Sequence, residues 1–319
     1  MKENTTVSIV MCTYNGEKFI REQLDSIVSQ TYPIHELIIQ DDCSKDATVA
    51  IIQEYASRYP YIKLFQNPCN LGFNRNFKEA MLRATGEFIA ISDQDDIWMD
   101  DKIARQVEAI GEYDICFTSY YRGEIFSAHM PIISPYYNFE RLLFTNCIPG
   151  HSMLVRKSFI YLPQVWNEHI CYDWWFLICA HLNKGIIKID IPLNWHRSHA
   201  DSAIATIHRQ YAHDTSTHPT YQPYLYGAAH LYRLRKKAVW QVFYNYIYTN
   251  TDSRTFALSH KISHLLLQKE RLSLLQLCFL CAKYREIIYP KPCTKGIKAY
   301  IRGFFYPFIH AYSNTNFEL

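Results

Sequence analysis

The sequence predicts an α/β fold: a mainly parallel sheet flanked by helices, followed by a helical C-terminal extension. Three observations carry this. Short apolar, β-branched runs alternate with segments of helical spacing through residues 5–121. Polar and acidic residues recur immediately after the apolar runs, where parallel sheets gather their ligand sites. Residues 225–319 change character, with 14 Lys or Arg against 4 Asp or Glu, whereas the remainder has 19 against 26.

The elements follow in order. "VSIVMCTYN" (7–15) reads as a buried strand ending in turn formers. "GEKFIREQLDSIVSQTY" places Phe19, Ile20, Leu24, Ile27 and Val28 at helical spacing, and Pro33 stops it. "ELIIQDDCS" is a second strand and "KDATVAIIQEYASRY" a second helix, with Ser44 or Asp46 as its N-cap. "IKLFQN" is a third strand, "GFNRNFKEAMLRATG" a third helix closed by Gly86, and "EFIAIS" a fourth strand. "KIARQVEAIGEY" and "DICFTSYY" complete another helix–strand pair. "IPGHSMLVRKSF" (148–159) is either a strand and turn on the acceptor side of a cleft or an edge strand. The organisation predicted is a catalytic domain over 1–222 and a basic, aromatic-rich helical region over 223–319.

Several classes are excluded. No GxGxxG follows the first strand and no GxxxxGK[ST] occurs, against a dinucleotide-binding dehydrogenase and a P-loop NTPase. The N-terminus lacks the pattern of a signal peptide, and no window is apolar enough to span a membrane. The ten cysteines are scattered through apolar segments as buried thiols are, and the Cys278/Cys281 pair has no second ligand pair for zinc. The location expected is cytoplasmic, at the inner face of the cell membrane.

The chemistry concentrates in "ISDQDDIW" (91–98). Asp93, Asp95 and Asp96 crowd three carboxylates between an apolar strand and Ile97–Trp98, where unpaired charge is expensive. A divalent cation, Mg2+ or Mn2+, resolves the conflict by accepting one or two carboxylates and completing its shell with phosphates and water. Thr13, Tyr14 and Asn15 end the first strand, and Asp41 and Asp42 the second, making one acidic, hydroxyl-rich crevice. Of the pair Asp41 and Asp42, one contacts a nucleotide and one is structural.

Four blocks, "VSIVMCTYNGEKFIREQLDSIVSQTYP", "ELIIQDDCSKDAT", "NLGFNRNFKEAMLRATGEFIAISDQDDIW" and "YDWWFLICAHLNKG", resemble glycosyltransferase family 2 in this order and spacing. More narrowly they resemble bacterial rhamnosyltransferase-like members carrying an SDQDDIW signature. The resemblance covers residues 5–205 and implies a GT-A, Rossmann-like fold. It also implies a UDP- or dTDP-linked sugar donor and inverting transfer to a hydroxyl. By position it implies that Thr13, Tyr14 and Asp42 hold the nucleotide, that Asp93 approaches the ribose, and that Asp95 binds the metal with Asp96 in reserve; Asn15 and Asp41 join the donor side by their place at the strand ends. Asp173 matches the catalytic base and His199 a histidine that completes the metal shell. Gly150, His151, Trp174, Trp175 and Arg197 fall on the acceptor or phosphate side. In "NWHRSHADSA" the pattern departs from the family: His196 fills the arginine or aromatic slot, and Ala200 replaces a common glycine.

In the C-terminal region Lys and Arg recur among Trp, Tyr, Phe and Leu, as on helices lying against an anionic membrane surface. A glycan acceptor on a lipid diphosphate carrier fits that setting, and nucleic acid is the least favoured partner. The implied role is sugar transfer in bacterial surface polysaccharide assembly. Two rivals are a sugar-phosphate nucleotidyltransferase, which would release pyrophosphate, and a non-catalytic membrane-tethered scaffold that binds sugar nucleotides.

Overall fold

A computed structural model describes residues 5–127, 129–199, 221–289 and 295–313. β1 (Val7–Thr13) is buried at every position except Cys12, so both its faces need cover, which a parallel sheet between helices provides. β2 (Glu36–Asp41) and β4 (Phe88–Ser92) flank it in parallel, and β3 (Ile62–Gln66) extends the sheet beyond β2. The register sets Thr13 beside Asp41 and Met11 beside Ser92, so the polar ends of three strands finish at one edge.

Helices cover this half as their spacing requires. α1 (Ile20–Val28) buries Ile20, Leu24 and Ile27. α2 (Thr48–Arg58) buries Ile51, Ile52 and Tyr55, and α3 (Phe73–Arg83) buries Phe77, Ala80 and Met81. Ahead of α2, Asp46 accepts the Thr48 amide at 3.0 Å, while Ser44 turns back to Asp41. Gly86 does not close α3, which ends at Arg83. Its backbone instead runs against β1, where a Cβ would stand 2.7 Å from the Ser8 nitrogen.

Past β4 the sheet becomes mixed. Its order is β3-β2-β1-β4-β8-β6-β9-β5, with β7 (Ile132–Ile133) paired to β6. β8 (Met153–Arg156) runs antiparallel between β4 and β6 (Ile115–Gly123). The edge-strand alternative for residues 148–159 is therefore overturned, since β8 is paired on both sides. β9 (Ile186–Arg197) lies parallel to β6. β5 (Ile97–Trp98) pairs antiparallel with β9, Ile97 opposite Trp195 and Trp98 opposite Asn194. α4 (Lys102–Ile110) buries Ile103 and Ile110. α7 (Tyr172–His181) buries every residue from Trp174 to Ala180, as a helix apolar all round must. The short helices α5 (Phe139–Leu142) and α6 (Lys157–Ile160) complete this part of the chain.

The chain forms two compact units: residues 1–136 with 148–199, and residues 137–147 with 200–319. The sequence reading put a boundary near residue 222, and residues 137–147 group with the second unit. In the second unit the described helices are α8 (Gln222–Leu234), α9 (Ala238–Thr249), α10 (Ala257–Leu267), α11 (Arg271–Lys283), α12 (Arg285–Ile288), α13 (Ile297–Phe304) and α14 (Tyr306–Ser313). The Tyr244 hydroxyl donates to the Leu143 carbonyl at 2.6 Å, and Phe144 packs on Tyr306 and His310. Cys278 and Cys281 are buried free thiols on α11.

Glu36 pins the entry of β2 by accepting from Ser8 Oγ, Thr85 N and Oγ1, and Lys63 Nζ, all at 2.7 Å. Burial opposes its ionisation, but these donors prevail and hold its pKa at about 2. A depressed acid contributes stability above its ordinary pKa and loses it as pH falls toward the folded value. Glu36→Gln is expected to cost about 1–3 kcal/mol near neutral pH in urea unfolding. That difference should shrink as pH falls from about 4.5 toward 2; a pH-independent difference would show that the charge is irrelevant.

Candidate functional site

The crevice begins at the end of β1. The Thr13 hydroxyl donates to Asp41 at 2.9 Å, and Asp41 also accepts the Ser44 amide and hydroxyl. Asp42 accepts from Asn67 Nδ2 at 2.8 Å and from the amides of Leu71 and Gly72 at 2.7 and 2.9 Å. Both carboxylates are buried and engaged with protein donors. Their visible work is to shape the loops after β1 and β2. Asn15, in a left-handed conformation at φ 46°, accepts the Lys45 amide and donates its own to Ser44.

The DQDD segment is locked to that loop through its middle residue. Gln94 Oε1 accepts the Tyr14 amide at 2.9 Å, and Gln94 Nε2 donates to the Tyr14 carbonyl at 3.0 Å. Gly16 makes room, since a Cβ there would lie 2.2 Å from Gln94 Oε1. The clamp leaves Asp93 and Asp95 on either side. Asp93 is partly buried, and no described residue donates a hydrogen bond to its carboxylate. Burial, then the charges of Asp96 and Asp95, push its carboxyl well above the usual range.

The β5–β9 pairing explains how the end of β9 reaches these carboxylates. His199 Nε2 lies 2.6 Å from Asp95 Oδ2. Its Nδ1 is buried with no hydrogen-bond partner among the described residues, and its ring packs on Phe19. Arg197 donates from Nε to the Asp95 carbonyl at 3.1 Å and pairs with Glu22, its guanidinium held between Phe19 and Trp195. Arg197 therefore supports Asp95 from behind.

Beneath lies a closed polar network. Asp96, fully buried, meets His196 Nδ1 at 3.0 Å. Burial disfavours a charged His196, but Asp96 reverses the balance and raises its pKa. Asn194 Nδ2 donates to His151 Nδ1 at 2.9 Å and lies 3.4 Å from Asp96 Oδ2. His151 stacks on His196 with ring centroids 4.6 Å apart, and burial, then His196, keeps it neutral. Lys102, also fully buried, donates to the His151 carbonyl at 2.9 Å over the Trp98 ring. Burial lowers its pKa to about 7 against the pull of Asp96. Lys102 carries no signal in the sequence because it stands at the first turn of an ordinary amphipathic helix, and Asn194 and Gln94 carry none either.

On the facing side Asp173 opens α7. Its Oδ1 accepts the Trp174 amide at 2.7 Å and the Cys171 thiol at 2.8 Å, which fixes the carboxylate. Its charge reaches Asp93. Asn74 on α3 holds the approach, donating to the Ile170 carbonyl at 2.9 Å and accepting the Tyr172 amide at 2.8 Å. Gly150 is required under Tyr172, whose hydroxyl would lie 2.3 Å from any Cβ. Trp174 and Trp175 do not wall the site: both are core side chains, 0% and 2% exposed. His151 is likewise enclosed, so these positions support the cleft from within.

Two sets of donors could take a cation. Asp96, His151 and His196 bring one oxygen and two ring nitrogens within 4.8 Å of one another. That set is enclosed, and the Asn194 amide already donates into it. Asp95 and His199 form a second, partly accessible carboxylate–imidazole pair, with Asp93 near enough for its charge to act on Asp95. Oxygen donors with one imidazole suit Mg2+ or Mn2+.

Comparison with known proteins bears on the fold and the family. An uncharacterized protein of Mycobacterium tuberculosis, Rv1520, is 34% identical over 210 residues, covering 61% of this chain and 59% of that protein. The chain thus spans less than two thirds of the length of such relatives. S. aureus TarS 1–349 in complex with UDP-GlcNAc superposes with a TM-score of 0.60 at 17% identity, over 96% of this chain and 89% of that one. A Pyrobaculum calidifontis mannosyltransferase in complex with GDP-Man and Mn2+ gives 0.55 at 15% identity, over 96% and 86%. These likenesses establish the GT-A fold. Residues 8–170, bracketing β1 through the approach to α7, match the family described as glycosyl transferase family 2, and the chain belongs to that family.

Proposed function

We propose that this glycosyltransferase is inverting and metal-dependent, moving a sugar from a nucleoside-diphosphate donor to a hydroxyl of a glycan acceptor. The observation that carries the reading is the convergence of Asp93, Asp95 and His199 with Asp173 across one crevice. The SDQDDIW signature favours rhamnose as the sugar and a lipid-carried glycan of a bacterial surface polysaccharide as the acceptor. The UDP-GlcNAc and GDP-Man held by the two structural neighbours support the donor class.

In this reading Asp173 takes the acceptor hydroxyl's proton as that oxygen bonds to the anomeric carbon and the bond to the diphosphate breaks. The anchored Oδ1 orients the carboxylate, and Asn74 holds the segment that carries it. Asp93, Asp95 and His199 would hold a divalent cation, which when bound offsets charge on the departing diphosphate. Tyr14 and the loops shaped by Asp41 and Asp42 frame the nucleotide, and Gln94 keeps those loops in register with the carboxylates.

Titration calorimetry with UDP, dTDP and GDP, each with and without Mn2+, tests the donor site. Wild type should bind one of them in a metal-dependent way, and Asp95→Ala should lose that dependence. Unchanged affinity in the variant would remove Asp95 from the site. Asp173→Asn should keep donor binding and lower turnover by ~10²-fold or more, with free nucleoside diphosphate as the wild-type product. Full turnover in that variant would assign the base elsewhere.

A further inference from the structure

In the second unit, two helices leave apolar stripes uncovered. On α11, Leu272, Leu275 and Phe279 follow one another at i, i+3 and i+7 and are 66%, 45% and 52% exposed. On α13, Ile297 and Ile301 are 78% and 48% exposed, and Phe304 continues their face one turn on. The opposite face of α13 seats on α11: a Cβ on Gly303 would lie 3.1 Å from Ala282 Cα. That close crossing aligns the outer faces, and Phe279 meets Phe304 with ring centroids 5.1 Å apart. The two stripes thus join into one apolar surface. A patch of this kind on an otherwise soluble surface marks a place of contact.

The surrounding charge names the partner. Residues 269–304 carry eight Lys or Arg and two Glu. Lys298 and Arg302 flank the α13 stripe one turn apart, and Arg271 and Lys283 stand near the two ends of the α11 stripe. Of the two acids, Glu286 sits beside Arg285, with 3.8 Å between them. Apolar side chains ringed by cations suit an interface where chains enter the headgroup layer and ammonium and guanidinium groups meet lipid phosphates. No described helix is long and apolar enough to cross a membrane, so this contact would be made from the surface. We propose that the α11–α13 face docks the protein on anionic lipid bilayers. Its connection to a lipid-carried acceptor rests on the function proposed above; the docking itself does not.

The test is co-sedimentation of the full chain with phosphatidylglycerol-containing and pure phosphatidylcholine vesicles. Wild type should prefer the anionic vesicles and release with salt. Ile297→Glu/Ile301→Glu and, separately, Lys298→Ser/Arg302→Ser should each lower partitioning about tenfold or more. All these side chains are exposed, so thermal unfolding and nucleoside diphosphate affinity should stay at wild-type values, keeping this test separate from that of the donor site. Equal vesicle binding by wild type and both variants would overturn the proposal. So would sedimentation equilibrium showing that the Ile297→Glu/Ile301→Glu change splits a dimer while vesicle binding persists, since the face would then belong to a second copy of the chain.

Discussion

Three carboxylates within four residues can close a strand only if some of their charge is neutralised inside the protein. Lys102 and His196 do this for Asp96. An isolated buried carboxylate costs several kcal/mol even after relaxation, yet Asp96 has His196 at 3.0 Å and the buried lysine near enough to act on it. Lys102 is in turn held by the His151 carbonyl and the face of Trp98. Burial still raises the Asp96 carboxyl above the usual carboxylate range, and His196 is what opposes that rise. Asp93 and Asp95 sit outside that layer, and what negative potential remains faces the crevice. A fold that neutralised none of the three would struggle to bury the end of β4.

The backbone around the cluster follows from the same demand. β5 is only two residues long, yet its pairing to β9 delivers Asn194, His196, the Arg197 amide and His199 to carboxylates about a hundred positions earlier in the chain. Gln94 ties the other flank to Tyr14. The middle residue of the DQD triplet is thus a structural clamp, and Gly16 is its necessary partner.

Much of this was legible in the sequence, for reasons that can be traced residue by residue. The strands of the parallel half announced themselves because both faces are buried, so β-branched runs such as "VSIVM" and "FIAI" were unbroken. The acidic cluster was legible from charge density alone. Asp173 was singled out only through the resemblance, because a carboxylate at the start of a helix looks the same whether it caps or reacts. The partners of Asp42 lie 25 to 30 residues on, beyond any local pattern. Trp174 and Trp175 were misread because exposure depends on how α7 is enclosed, and a helix apolar on all sides gives no preferred face. β8 was ambiguous because "MLV" suits an edge or an interior strand equally well.

The segment Tyr137–Cys147 gives the polypeptide an unusual order of assembly. It leaves the ribosome early, carrying Phe139, Leu142, Leu143 and Phe144, all buried in the finished protein. Tyr244, which caps the Leu143 carbonyl, is synthesised 101 residues later. At ~5–20 residues per second those side chains wait on the order of 5–20 s for their partners. The first unit, residues 1–136 with 148–199, is synthesised before that, so the nascent chain passes through a stage in which these apolar side chains lack the partners that later bury them, an opening for chaperones during synthesis.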